Sequence, residues 1–190
     1  MLSLLPGTQN QNRKTTFGNG ARDAIVGLTY GSVNVVQASP EGVQLNVRIR
    51  PAIPEDAAAL AVLSGELGYP STQEQILGRL TPLHSSGHDA ILVAVEQQII
   101  GWIHVARTLS LESGSGAEIM GLVVAERFRG GGIGARLVSE AEQWARGQGL
   151  NRIRVRTNVV RGDARAFYAK RGYRLVKQQA IFDKNLASSE

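Results

Sequence analysis

The sequence predicts an α/β domain: a mixed, partly parallel sheet of six to seven strands flanked by about four helices. Three observations point there. Stretches with apolar residues at every second position are interleaved with stretches where they recur every third or fourth. Two of the strand-like stretches, residues 90–95 and 99–107, are separated only by Glu96-Gln97-Gln98, which reads as an antiparallel hairpin. Beyond residue 117 a strand, a long helix and another strand follow in turn, the order that crossover pairing needs.

The periodic pattern begins at Val43. Residues 1–42 carry little of it, and the run from Thr8 to Gly20 is rich in Asn, Gln, Gly and basic residues. Residues 1–42 are therefore expected to be a flexible N-terminal extension, with residues 28–37 apolar enough for one short strand. Residues 43–190 are expected to be the folded domain. Val43, Leu45, Val47 and Ile49 alternate with polar neighbours as a half-buried strand. Pro54-Glu55-Asp56 opens a helix with proline and acids in its first turn. Leu60, Leu63 and Leu67 give that helix an apolar stripe, and Gly68 ends it. Ser71 and Glu74, three apart, read as a capping box for a second helix running to Leu80, with a polar loop over residues 81–88. After the hairpin, residues 109–116 read as a Ser/Gly loop. Residues 117–124 are apolar enough near their end to be a central strand. The helix over residues 133–147 places Ile133, Leu137, Ala141 and Trp144 on one face. Residues 151–157 alternate, with Ile153 and Val155 opposite Arg152, Arg154 and Arg156. Asp163 caps a short helix over residues 164–171 that Gly172 ends. Residues 173–177 and 180–183 read as a closing pair of strands.

Bulk properties narrow the function classes. The 190 residues suffice for one ordinary domain. No apolar run approaches the roughly 20 residues of a membrane span, so no membrane partner is expected. There is no cysteine, which excludes disulfides and thiolate metal sites; no metal is expected, and a cytoplasmic location is. The net charge of +5 is unevenly spread. Residues 126–177 hold thirteen Lys/Arg against four Asp/Glu, whereas the remainder holds eight against twelve. A basic half suits a polyanionic ligand, and coenzyme A, nucleotides and nucleic acid all qualify on charge. Nucleic acid is not expected, because Arg152, Arg154 and Arg156 alternate with aliphatic residues and offer no aromatic stacking platform.

The most specific local signal is a strand followed by Arg129-Gly130-Gly131-Gly132-Ile133-Gly134-Ala135 and a helix. A helix N-terminus presents unpaired N–H groups and the positive end of the helix dipole. Glycines let a phosphate approach those groups, since no Cβ intervenes. A P-loop would need Lys-Ser/Thr after its last glycine, but Ala135-Arg136 stands there. The run Gly130-x-Gly132-x-x-Ala135 meets a loose dinucleotide pattern, yet about 55 residues follow, too few for a doubly wound sheet.

Taken with the later Ala166-Phe167-Tyr168-Ala169-Lys170-Arg171-Gly172-Tyr173, this turn resembles the GNAT superfamily of N-acetyltransferases. Its signature is a strand, a short linker, then Arg/Gln-x-x-Gly-x-Gly/Ala opening a helix, followed further on by a short tyrosine-bearing helix that ends in Gly-Phe/Tyr. Arg48-Ile49-Arg50-Pro51-Ala52 with Glu55-Asp56 also looks like the family's first strand and helix. The resemblance covers residues 46–186.

The resemblance implies two central strands, residues 117–124 and 151–157, that splay apart, with acetyl-CoA as co-substrate between them. Leu122, Val123 and Val124 would contact the pantetheine through main chain. Arg129, Gly130, Gly131, Gly132, Ile133, Gly134 and Ala135 would hold the pyrophosphate, and an N–H near Val123 would polarise the thioester carbonyl. The implied reaction is acetyl transfer to a primary amine of a small molecule or peptide, by direct attack in a ternary complex. An alkylamine with a pKa near about 10 must lose a proton first. Glu118 is the first candidate to accept it; His104, on the preceding strand, is the second. Tyr168 matches the family tyrosine that returns a proton to the departing thiolate. Where many members carry an asparagine seven residues before this tyrosine, the chain has Arg161. The acceptor would meet the region around Tyr69, Trp102, His104 and the loop at 109–116, and a homodimer is common in the family. The alternative is a non-catalytic acyl-CoA sensor or interaction module on the same fold.

Overall fold

The structure, a computed structural model, describes residues 35–38, 44–158 and 162–186. Strands β2 (Gln44–Pro51), β3 (Asp89–Val95), β4 (Ile99–Ser110), β5 (Gly114–Val124) and β6 (Ile153–Val155) form one mixed sheet in chain order. All neighbours are antiparallel except β5 and β6, which run parallel. The short β1 (Val35–Ala38) pairs antiparallel with the outer edge of β2. The boundary expected at residue 42 lies outside the described residues.

Helices α1 (Ala57–Leu67) and α2 (Gln73–Ser85) cover one face of the sheet, and α3 (Ile133–Gly147) covers the other. The short α4 (Gly162–Ala169) follows β6. Under α1 and α2 the core is Ala52, Ala57, Leu60, Leu80, Ile91 and Val93, with Ile76, Leu83 and Trp102 packed against it. Ile133, Leu137, Val138 and Ala141 of α3 are fully buried, as the amphipathic pattern requires. Among the described residues no helix is long and apolar enough to cross a membrane.

The entry to α1 is held by charge. Arg50 at the end of β2 makes a bidentate pair with Asp56, Nη1 to Oδ2 at 2.6 Å and Nη2 to Oδ1 at 2.9 Å. The Ile53 N–H donates to the same carboxylate at 2.8 Å. Burial pushes the Asp56 carboxyl up, but Arg50 and the Ile53 N–H outweigh it and hold the group below the ordinary carboxylate range. The far end closes as expected: Gly68 takes φ +96°, and the Tyr69 N–H returns to the Ser64 carbonyl.

Several expected boundaries shift. The capping box at α2 is Thr72 with Gln75, not Ser71 with Glu74: Gln75 N–H donates to Thr72 Oγ1 and Thr72 N–H to Gln75 Oε1. Both pairs fit the same spacing rule, and Ser71 instead bonds the Tyr69 carbonyl and receives Arg79. Helix α2 continues through Pro82 to Ser85, because Leu83 still has core to pack against. The expected loop at 109–116 is mostly ladder, with pairing continuing to Ser110 and Gly114. The apolar length of β4 carries the serines and glycines along with it. The closing strands expected at 173–177 and 180–183 are absent: among the described residues no strand follows β6. Leu175, Val176, Ile181 and Phe182 all stand exposed, so nothing buries the faces that would hold those strands in register.

Because folded Asp56 ionises at lower pH than the unfolded residue, its contribution is complete above about pH 4 and is lost as pH falls through the folded value. Asp56→Asn should therefore lower stability by about 2 kcal/mol at neutral pH. In urea titrations its deficit relative to wild type should shrink steadily below pH 4; a deficit independent of pH would mean that shape rather than charge matters here.

Candidate acetyl-transfer site

Parallel pairing of β5 with β6 spans only Ala117↔Ile153, Glu118↔Arg154 and Ile119↔Val155. Beyond it Leu122, Val123 and Val124 pair with Ile103, Trp102 and Gly101 of β4, and no described strand flanks their other side. The strands thus part at the residues expected to meet the pantetheine. The β4–β5 ladder slips at the same level: His104 pairs with Gly121 but Val105 with Ile119, leaving Met120 as a bulge. A bulge increases local twist and bends its strand. The sequence offered no sign of it.

Past β5 a single turn, Glu126–Phe128, leads to Arg129 and the glycines. Gly130 and Gly132 take φ +83° and +77°, where an L side chain is strained. Gly132 is the N-cap of α3, no side chain caps the helix, and its first turn holds no acid. The leading N–H groups of Ile133, Gly134 and Ala135 therefore meet neither a capping side chain nor a first-turn acid. Two expectations change in detail. Arg129 turns back along the chain, its Nε donating to the Val124 carbonyl at 2.9 Å and its Nη2 lying 3.6 Å from Glu66. Gly134 is needed for packing: a Cβ there would come within 3.3 Å of the Phe167 ring.

Helix α4 docks beside that first turn. The Arg171 guanidinium lies 3.6 Å over the Phe167 ring, and Phe167 meets Tyr168 edge-on. Tyr173 meets Tyr168 edge-on and donates to Glu142 of α3 at 2.9 Å. Tyr168 is buried, and burial pushes its phenol up to about 12, with Arg171 pulling weakly the other way. It holds its proton throughout the neutral range and can serve only as a donor there. It lines a cavity of about 860 Å³ along β6 and residues 171–177.

A second pocket, about 350 Å³, lies between α1, α2 and the opposite side of the β4–β5 pair. Leu60 and Leu67 of α1 and Ile76, Leu80 and Leu83 of α2 form its walls, and Tyr69, Ser71 and Arg79 its outer part. Its floor is Ile91, Trp102, His104, Met120 and Gly121. Trp102 packs against the core under α1 and α2 and also lines this pocket. A Cβ on Gly121 would fall 2.8 Å from the Trp102 ring, so this glycine is what lets the indole lie across β5.

His104 is held from behind. Its Nε2 lies 2.8 Å from Asp89 Oδ1, and the other carboxylate oxygen accepts from Ser86 Oγ at 2.7 Å. With the ring neutral, Nε2–H donates to Asp89, which leaves Nδ1 as the basic nitrogen. Asp89 was missed from sequence; only the hairpin register, Asp89↔Ala106 beside Ile91↔His104, brings the two together. Glu118 lies on the same face, buried, with Arg156 Nε 3.1 Å from its Oε1. It lines neither cavity, and Tyr168 lines a different one from His104. Of the strand arginines, Arg156 serves Glu118, and Arg152 packs where a Cβ on Gly116 would stand. Arg161 lies outside the described residues.

Two measurements check this packing. Gly121→Ala should cost about 1–3 kcal/mol by forcing the Trp102 ring aside, visible together in urea denaturation and tryptophan fluorescence. Tyr168 should make the fold alkali-sensitive: the unfolded phenol ionises near about pH 10 and the folded one near 12, so stability is intact below 10 and falls as pH rises through 12. Tyr168→Phe should flatten that decline.

Residues 61–173 match the family model described as Acetyltransferase (GNAT) family. An aminoglycoside N(6')-acetyltransferase type 1 of Serratia marcescens is 26% identical over 106 residues, 56% of this chain and 70% of that protein. In fold, the chain is similar to a transcriptional regulator from Bacillus halodurans, with a TM-score of 0.66 at 24% identity, covering 73% of this chain and 99% of the other. It is similar also to AAC(6')-Iy in complex with the bisubstrate analogue CoA-S-monomethyl-acetylneamine, with a TM-score of 0.66 at 15% identity over 73% and 98% of the two chains. With the family model spanning more than half of its residues, the chain belongs to the GNAT acetyltransferase family.

Proposed function

We propose that the chain transfers an acetyl group from acetyl-CoA to a primary amine by direct attack within a ternary complex. The observation that carries this reading is the coincidence of two features: β5–β6 pairing ends at Ile119↔Val155, and the uncapped N-terminus of α3 stands just beyond the end of β5. The residues present fit acetyl-CoA. Backbone groups of Leu122, Val123 and Val124 would bind the pantetheine arm as an added strand would, with an N–H near Val123 on the thioester carbonyl. Gly130, Gly131, Gly132, Ile133, Gly134 and Ala135 would receive the pyrophosphate. Arg129 would have to leave Val124 and Glu66 to join them. When bound, acetyl-CoA supplies the activated thioester.

The amine must shed its proton before attack. Glu118 and His104 share the face that the acceptor approaches, but only His104 lines the pocket, and Asp89 fixes its tautomer. His104 is therefore the better-placed general base, with Glu118 and its Arg156 partner flanking it. Tyr168, protonated at neutral pH, is the group available for the departing thiolate. Its separation from the His104 pocket is what favours the second reading, a non-catalytic acyl-CoA-binding module, in which binding occurs without turnover.

Gly131 allows a clean test, because its φ is ordinary and a Cβ there meets only the Phe128 carbonyl at 3.6 Å. Gly131→Glu should weaken acetyl-CoA binding about tenfold or more by calorimetry, through like-charge repulsion, while Gly131→Ala binds nearly as wild type does. Unchanged affinity in the glutamate variant would remove the cofactor site from this turn. For the base, His104→Gln should lower kcat about a hundredfold while acetyl-CoA affinity stays near wild type. If Glu118→Gln does so instead, the base is Glu118.

A further inference from the structure

We infer that the acceptor is a compact amine with an apolar body and one carboxylate, such as an apolar amino acid, rather than a polycationic aminoglycoside. The inference rests on the acetyl-transfer reading and concerns the 350 Å³ pocket above His104.

The lining chemistry is lopsided. Among the described residues no Asp or Glu lines this pocket; besides the Tyr69 phenol its ionisable groups are Arg79 and His104. Asp89, behind the floor residue His104, is already taken by His104 and Ser86. Glu66, next to the wall residue Leu67, is turned to the Glu126 N–H and Arg129. A ligand with several ammonium groups would enter a site with no counter-charge and with a guanidinium at its edge. Charges desolvated without partners oppose binding.

Arg79 is the positive feature. Its Nη1 donates to Ser71 Oγ at 3.0 Å, which steadies the guanidinium on the outer wall, and it forms no ion pair among the described residues. A guanidinium beside a hydroxyl is a ready receptor for one carboxylate. The rest of the lining is largely apolar, with Leu60, Leu80 and Leu83 in the walls and Ile91 in the floor, which suits a hydrocarbon body. The volume is at the small end of ligand pockets, about 300–1,000 Å³, and suits a ligand of amino-acid size.

The test uses the full chain, acetyl-CoA and a thiol-release assay. Acceptors are L-leucine and L-phenylalanine, their amides, and the aminoglycoside neamine. The amides have the less basic amine and so more of the reactive neutral form at pH 7.5. A preference for the free acids would therefore oppose intrinsic reactivity and report the pocket. The expected result is a kcat/KM at least about tenfold higher for acids than for amides, with neamine the poorest acceptor. Arg79→Gln should bring the acid-to-amide ratio near one, mainly through KM, and Arg79→Lys should restore part of it. Better turnover of neamine, an unaltered ratio in Arg79→Gln, or no turnover of the acids while acetyl-CoA binds would each overturn the inference. Failure to bind acetyl-CoA would instead sink the acetyl-transfer reading. Calorimetry with L-phenylalanine alone then judges the pocket separately, with absence of binding counting against it.

Discussion

The three-residue parallel ladder between β5 and β6 is the constraint on which the site depends. Had it run the length of β5, the backbone of Leu122, Val123 and Val124 would be consumed by sheet hydrogen bonds and no arm could lie along it. The ladder stops at Ile119, and the next residue, Met120, bulges against β4. A bulge strengthens twist, and twisting β5 at this level turns its upper half away from β6. The cleft is thus a consequence of strand geometry more than of side-chain bulk.

Glycine serves three different purposes around this cleft. At Gly130 and Gly132 it supplies positive φ for the turn into α3. At Gly121 it leaves room for Trp102, and at Gly134 it admits Phe167. The first use shapes the turn into α3, the second the pocket under α1 and α2, and the third docks the tyrosine helix. The sheet therefore separates two tasks. In the proposed reading the β5–β6 opening and the α3 N-terminus would serve the cofactor, while the α1/α2 face, with His104 and Arg79, would serve the acceptor. The bulge at Met120 lies where the two regions meet.

Much of the fold was legible because its signals are local. The α3 stripe, the Glu96-Gln97-Gln98 hairpin, the Gly68 cap and the glycine turn each depend on residues close in the chain. Where expectation and structure part, the deciding partner is distant. Ser110 and Gly114 join a ladder because β4 and β5 pair along their whole length. Leu83 extends α2 because a core lies beneath it. Residues 173–177 and 180–183 have strand-like patterns, yet pattern alone does not provide a neighbour to pair with.

The sequence by itself determined the α/β class, the family signature and the glycine turn that opens α3, since backbone conformation and periodicity are written in nearest-neighbour chemistry. The tertiary structure alone decided that Asp89 stands behind His104, that Arg156 engages Glu118, that Arg79 borders a pocket lined by no carboxylate among the described residues, and that Tyr168 faces another cavity. Those relations follow from strand register and from the packing of helices on opposite faces, and a shift of one residue in either would place different side chains together.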